Sequence, residues 1–143
     1  MGFYYLDDIA TADIAFKAEG RTIEDVFIFA SEALIDSMVG DIHSIQPKVK
    51  RKIQIKQDSA DMLLFDFLQE IIYYKDADSL LLVVNKLAIK KENQTYTLSA
   101  QANGEPVDPE RHKLKADVKA VTLHKFEVKQ TDAGWQAQVV LDI

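Results

Sequence analysis

Asp13 and Asp142 are carboxylates near opposite ends of a 143-residue chain, and both interrupt stretches that read as strands. In TADIAFKA and WQAQVVLDI the main apolar residues fall on alternate positions, which puts each aspartate on the opposite strand face. Hard divalent cations such as calcium and magnesium take several oxygen ligands, and carboxylates supply them with charge. If the two strands run side by side, both side chains and the α-carboxylate of Ile143 can converge on one ion. If they do not, these are solvated acids at strand ends. Termini usually fray because nothing ties their backbone down. The apolar run before Asp142 predicts instead a strand that is held, with the Ile143 side chain as its anchor.

Two further groups of residues bear on chemistry. Lys48, Lys50, Arg51, Lys52 and Lys56 fall in one short stretch, KVKRKIQIK. Such a row can meet RNA phosphates or an acidic partner, but lysines on an edge strand also discourage aggregation. No aromatics are interleaved with them to suggest base stacking. In GEPVDPERHKLKADVKAVTLH, Gly104, Pro106 and Pro109 predict a structured turn followed by a strand carrying His112, Lys119, Thr122 and His124. The two histidines are too far apart along an extended strand to share a metal. A lone histidine beside apolar residues is more often a hydrogen-bonded structural group than a catalyst. Alternation sets Lys119 opposite the other three. No nucleophile elbow, phosphate-binding glycine loop or zinc-helix motif occurs in the chain.

The elements that position these residues can be read from periodicity. Ile23, Val26, Phe27, Ala30, Ala33, Leu34 and Met38 keep helical spacing after a capping signal at Thr22, with Gly40 as terminator. KVKRKIQIK is a strand with Val49, Ile53 and Ile55 on one face. Asp58 or Ser59 can cap a second helix through Met62, Leu63, Phe65, Leu68, Ile71 and Ile72, apolar around enough of its girth to be packed on more than one side. From Leu80 onward the pattern is strand-like: SLLLVVNKLAIK, TYTLSAQA, KLKADVKAVTLHKFEVKQ and WQAQVVLDI, separated by KENQ, NGEPVDPE and TDAG. Two helices among many strands predict one domain over residues 1–143, an α+β sandwich of mostly antiparallel sheet.

Composition narrows the function classes. The chain is 48% apolar and 28% charged, has no cysteine, and carries a formal net charge of −6. The absence of cysteine excludes disulfides, thiolate metal sites and a cysteine nucleophile. A net negative charge does not favour non-specific nucleic-acid binding by the chain as a whole, though it leaves room for a local basic patch. No stretch approaches the roughly 18 consecutive apolar residues of a membrane span, and MGFYYLDD lacks the form of a signal peptide. The expected location is the cytoplasm.

Four segments in order resemble the archease family. TADIAF after an acidic stretch is similar to that family's His-Thr-Ala-Asp opening, and DMLLFDFLQEIIYY to its long second helix. GEPVDPERHKLKADVKAVTLH resembles its most recognisable segment, and GWQAQVVLDI its closing strand. One position departs from the pattern: Ala10 stands where the family has histidine. The resemblance implies a protein cofactor rather than an enzyme, one that activates RtcB-type RNA ligases in transfer-RNA splicing or RNA repair. It would promote GTP-dependent guanylylation and multiple turnover, with RNA met only indirectly and no membrane involved. It also implies a site for a divalent metal ion, Ca2+ or Mg2+, at Asp13, Asp142 and Ile143, and a ligase contact at Lys119. Two other classes fit the same residues: a metal-dependent hydrolase using these carboxylates, and a chaperone or RNA-binding modulator using the basic strand.

Overall fold

Each long helix begins at a side chain that replaces a missing backbone partner. Thr22 Oγ1 accepts the Asp25 N–H at 3.1 Å and opens α1, Ile23–Met38. Ser59, rather than Asp58, does the same for the Met62 N–H at 3.2 Å and opens α2, Ala60–Asp78. The computed structural model describes residues 1–7 and 13–143, so Ala10, Thr11 and Ala12 of the opening motif lie outside the described residues.

The strands are β1 (Gly2–Leu6), β2 (Asp13–Gly20), β3 (Val49–Gln57), β4 (Leu80–Glu92), β5 (Thr95–Pro106), β6 (Ala120–Thr131) and β7 (Gly134–Asp142). They form two antiparallel sheets, in the orders β1-β2-β7-β6 and β3-β5-β4. Both helices pack between them: α1 touches β1, β2, β7 and β4, while α2 touches β6 and all three strands of the smaller sheet. This three-layer arrangement explains why both helices are apolar around much of their girth. Phe27 of α1 and Phe67 of α2 are fully buried and stack with ring centroids 5.9 Å apart, at the centre of a core drawn from both sheets. Among the described residues no helix is long and apolar enough to cross a membrane.

Two expectations need correction, and one strand was not anticipated. β1 carries too short a pattern to register as a strand by alternation, yet it pairs with β2 along its whole length. The stretch from Lys113 to Gln130 is not one strand. Asp108 caps a one-turn helix, α3 (Pro109–His112), and β6 begins only at Ala120. Between them the Lys115 and Ala116 N–H groups donate to the Met38 and Ser37 carbonyls at the end of α1, at 2.9 and 3.1 Å. The backbone donors there are thus used by a helix terminus and not by a ladder. Finally, Asn103–Pro106 extends β5 rather than forming a turn. A side chain at Gly104 would run into the Leu81 carbonyl, so only glycine allows β4 and β5 to stay paired there.

Candidate functional site

β7 lies inside its sheet, between β2 and β6, and its register with β2 places Asp142 directly opposite Asp13. Phe16, Ala18, Ala137, Val139 and Leu141 face the helices as part of the core. By strand alternation, both aspartates therefore lie on the other face of the sheet, at the end where β2 starts and β7 stops. Asp13 is half-buried and Asp142 exposed. The two strands that sequence periodicity left unpaired do run side by side.

The closing strand is held as expected, but not by Ile143, whose side chain is 39% exposed. Val139, Val140 and Leu141 are fully buried. The Asp142 carbonyl accepts the Lys119 N–H at 2.8 Å, and Ala120 pairs with Asp142 from the β6 side. Lys119 thus sits beside the aspartate pair, its backbone engaged and its residue exposed.

Several contacts deliver Lys119 to that place. Lys75 of α2, only 12% exposed, donates from Nζ to Asp117 Oδ1 and to the Val118 carbonyl, both at 2.8 Å. Burial pushes the Lys75 ammonium down, but hydrogen bonds and attraction from Asp117 and Asp76 outweigh it, and the net shift is upward. Lys75 in turn holds the Asp117 carboxyl below its usual range. One residue into β6, the Val121 N–H donates to Gln69 Oε1 at 2.7 Å. On the other side of β2, Tyr5 donates to Asp36 Oδ2 at 2.6 Å and ties β1 to α1. Burial first, then this bond to a carboxylate, pushes the Tyr5 phenol up to about 12, so it stays a donor.

The donor set suits a hard cation. Like charges directly opposite on a sheet repel, and an ion bound between them turns that repulsion into attraction. Among the described residues no three His, Cys, Asp or Glu side chains are grouped to hold a metal. Ile143 follows Asp142 at the same end of the two strands. Sequence reasoning passed over Asp7, which lines a shallow depression of about 340 Å³ together with Asp13, Tyr5, Ser37 and Lys115. Its signal was the acidic pair after GFYYL.

Comparison with known proteins decides the family. The sequence model of the Archease protein family (MTH1598/TM1083) matches residues 3–143. The chain belongs to the archease family. It is 37% identical over 142 residues to a protein archease of Methanosarcina barkeri, covering 99% of this chain and 95% of that one. A protein archease of Pyrococcus furiosus is 36% identical over 134 residues, 93% of this chain and 94% of the relative. The archease fold is shared with the solution structure of Methanobacterium thermoautotrophicum protein 1598, at TM-score 0.85 and 31% identity over 99% of both chains. A crystal structure of an archease and possible chaperone from Thermotoga maritima, 18% identical, has the same fold at TM-score 0.62 over 98% of each chain.

In this archease the remaining singled-out residues lie elsewhere. His112 is fully buried in α3, not on a strand, so alternation does not relate it to Lys119. Its Nδ1 accepts the Asp108 N–H at 2.9 Å, leaving Nε2 as the donor to Glu105 Oε2 at 2.9 Å. It is the structural histidine that its surroundings suggested. Glu105, also buried, accepts the Gln46 N–H at 2.7 Å and binds Arg111 at 2.5 Å, with Lys48 at 3.6 Å. The Arg111 guanidinium first, with the Gln46 and His112 bonds against the opposing effect of burial, holds its carboxyl far below the usual range. This cluster fastens α3 and the loop before β3 to the end of β5, and every polar group in it is satisfied. His124 is exposed on a wide bulge of β6, away from His112.

Proposed function

We propose that the chain is a metal-binding protein cofactor that activates an RtcB-type RNA ligase, promoting its GTP-dependent guanylylation and turnover in transfer-RNA splicing or RNA repair. The observation that carries this reading is the direct cross-strand pairing of Asp13 with Asp142 beside Ile143. These are the residues to which the family resemblance assigns a metal site, and folding brings distant parts of the chain together there. The ion is divalent, Ca2+ or Mg2+, with the Asp13 and Asp142 side chains and the Ile143 α-carboxylate as its protein ligands. Such a cation supplies charge neutralisation for a triphosphate when it is bound. Lys119, held beside the pair by its bond to Asp142, is the proposed contact with the ligase. In this reading the chain catalyses no reaction of its own, and it meets RNA only through the ligase.

The test is multiple-turnover ligation with a cognate ligase and GTP, with and without this protein. Stimulation is expected, and it is expected to fall in Asp13→Ala and Asp142→Ala when divalent metal is limiting. Full stimulation by both variants would refute the metal part. An extension of a few residues after Ile143 moves the free carboxylate without changing a side chain. Cation affinity unaltered in that protein, measured by calorimetric titration, would remove Ile143 from the site.

A further inference from the structure

The outward face of the smaller sheet has a composition that the metal site does not explain. Strand alternation puts Lys50, Lys52 and Lys56 of β3 on it, all exposed. From β4 come Lys86 and Lys90, also exposed. Between them runs β5, which presents Thr97, Ser99, Gln101 and Asn103. The register aligns Lys52, Gln101 and Lys86 in one row across the three strands, and Lys56, Thr97 and Lys90 in another. The outward acid on these strands is Glu92, at the tip of the β4–β5 hairpin; Glu105 at the other end is buried beneath α3. A chain of net charge −6 thus keeps a lysine-railed face whose acids stand at its two ends, Glu92 at the hairpin tip and Glu32 of α1 beside Val83 and Asn103. A depression of about 150 Å³ on it is lined by Lys50, Arg51, Lys52, Gln101 and Asn103.

We infer that this face binds the sugar–phosphate backbone of single-stranded RNA along β5, between the two lysine rails. This replaces one part of the reading above: RNA is met directly by this chain and not only through the ligase. Strands are roughly 4.8 Å apart, so the rails stand about 10 Å from each other; along them Lys50 and Lys52 are about 7 Å apart, and Lys52 to Lys56 and Lys86 to Lys90 about 14 Å. That geometry suits a single line of regularly spaced phosphates. An acidic protein or an anionic membrane fits less well: the first needs an apolar or aromatic centre to bury and the second apolar anchors. The outward apolar residues of these strands are only Ala88 and Val83, the latter beside Ile42, Ile45 and Pro47 at one end of the face. The absence of aromatics means no base stacking, so binding is independent of sequence. The hydroxyl and amide row on β5 offers donors to phosphate oxygens, and both donors and acceptors to the 2′-hydroxyl, which distinguishes RNA from DNA.

The test uses the full chain alone, without ligase and with chelator present, so its outcome does not depend on the metal site. Fluorescence anisotropy of labelled oligo(rU) should show binding at low salt. If five lysines each meet a phosphate, log K falls against log salt with a slope of about −3.5, which is about 100-fold between roughly 50 and 200 mM. The double substitution Lys52→Glu with Lys86→Glu is expected to weaken binding by ~10-fold or more and to flatten that slope by about 1.4. Lys125→Glu with Lys129→Glu changes net charge equally on the other sheet and should leave binding within ~3-fold, since distant surface charges are screened. Equal losses in the two variants would overturn the inference. So would equally tight binding of oligo(dU), or displacement by poly-glutamate as effective as by unlabelled oligo(rU). Lack of oligo(rU) binding together with self-association of the Lys52/Lys86 variant would show that the lysines only guard the sheet edges.

Discussion

Replacing Asp13 with asparagine should change the stability of this protein in opposite directions depending on whether a divalent cation is present. Asp13 and Asp142 are register partners on adjacent antiparallel strands, so their Cβ atoms stand roughly 5 Å apart. One is half-buried and the other exposed, which makes a water-like dielectric appropriate. Two unit charges at that distance then repel by about 0.8 kcal/mol, reduced to about half by physiological salt. In chelator, Asp13→Asn is expected to be more stable than wild type by about 0.4 kcal/mol, raising the melting temperature by about 1–2 °C for a chain of this size. With cation at a hundred times its dissociation constant, wild type should gain about 2.7 kcal/mol, or about 8–10 °C. The variant should gain far less, so the order of stability inverts. Scanning calorimetry of both proteins in EDTA and in Ca2+ or Mg2+ measures all four values. An Asp13→Asn protein less stable than wild type in chelator, or one with the full cation-dependent rise, would refute the reasoning. Asp142→Asn should repeat the pattern, because the repulsion is mutual.

Other perturbations test the framework that presents the site. Phe67→Ala removes a fully buried ring from between the two helices and should cost about 3–5 kcal/mol in urea unfolding. Gly104→Ala sets a methyl group against the Leu81 carbonyl; hydrogen exchange of the facing β4 and β5 amides should accelerate, more than for Ser59→Ala, whose lost helix cap costs about 1 kcal/mol. Lys75→Met frees Asp117 and the Val118 carbonyl, and should cost about 1–2 kcal/mol, allowing for the exposure of Asp117. It should also weaken stimulation of the ligase without replacing a proposed metal ligand, because Lys119 loses its support. Glu105 has a folded-state pKa depressed below the ordinary 4.5, so its contribution to stability is complete above that pH and is lost as pH falls further. The stability difference between wild type and Glu105→Gln should therefore shrink on acidification below pH 4.5, as read from urea midpoints; a constant difference would contradict the assigned bonds.

Periodicity and capping were enough to place both long helices, the strand Val49–Gln57 and the closing strand, because those patterns are local. Thr22 and Ser59 can only cap the residues directly C-terminal to them, and the alternation in WQAQVVLDI states which face is apolar without reference to any neighbour. The same local logic separated Asp13 and Asp142 from the apolar faces of their strands. It failed where backbone donors are used by distant groups. Lys113 to Lys119 alternates like a strand, yet its N–H groups go to the end of α1 and to Asp142. GFYYL is too short to show a period, and becomes a strand because β2 is there to pair with. Nothing in the order of residues says that Glu105 will meet Arg111, His112 and Lys48 in one buried cluster, since a turn of helix and a separate loop must close over it. Most of all, the sequence by itself determined that two aspartates end up on the polar sides of two strands. Only the tertiary structure decided that β7 inserts between β2 and β6 and sets them face to face, because strand order and register depend on packing against the helices, a non-local balance that no short stretch encodes.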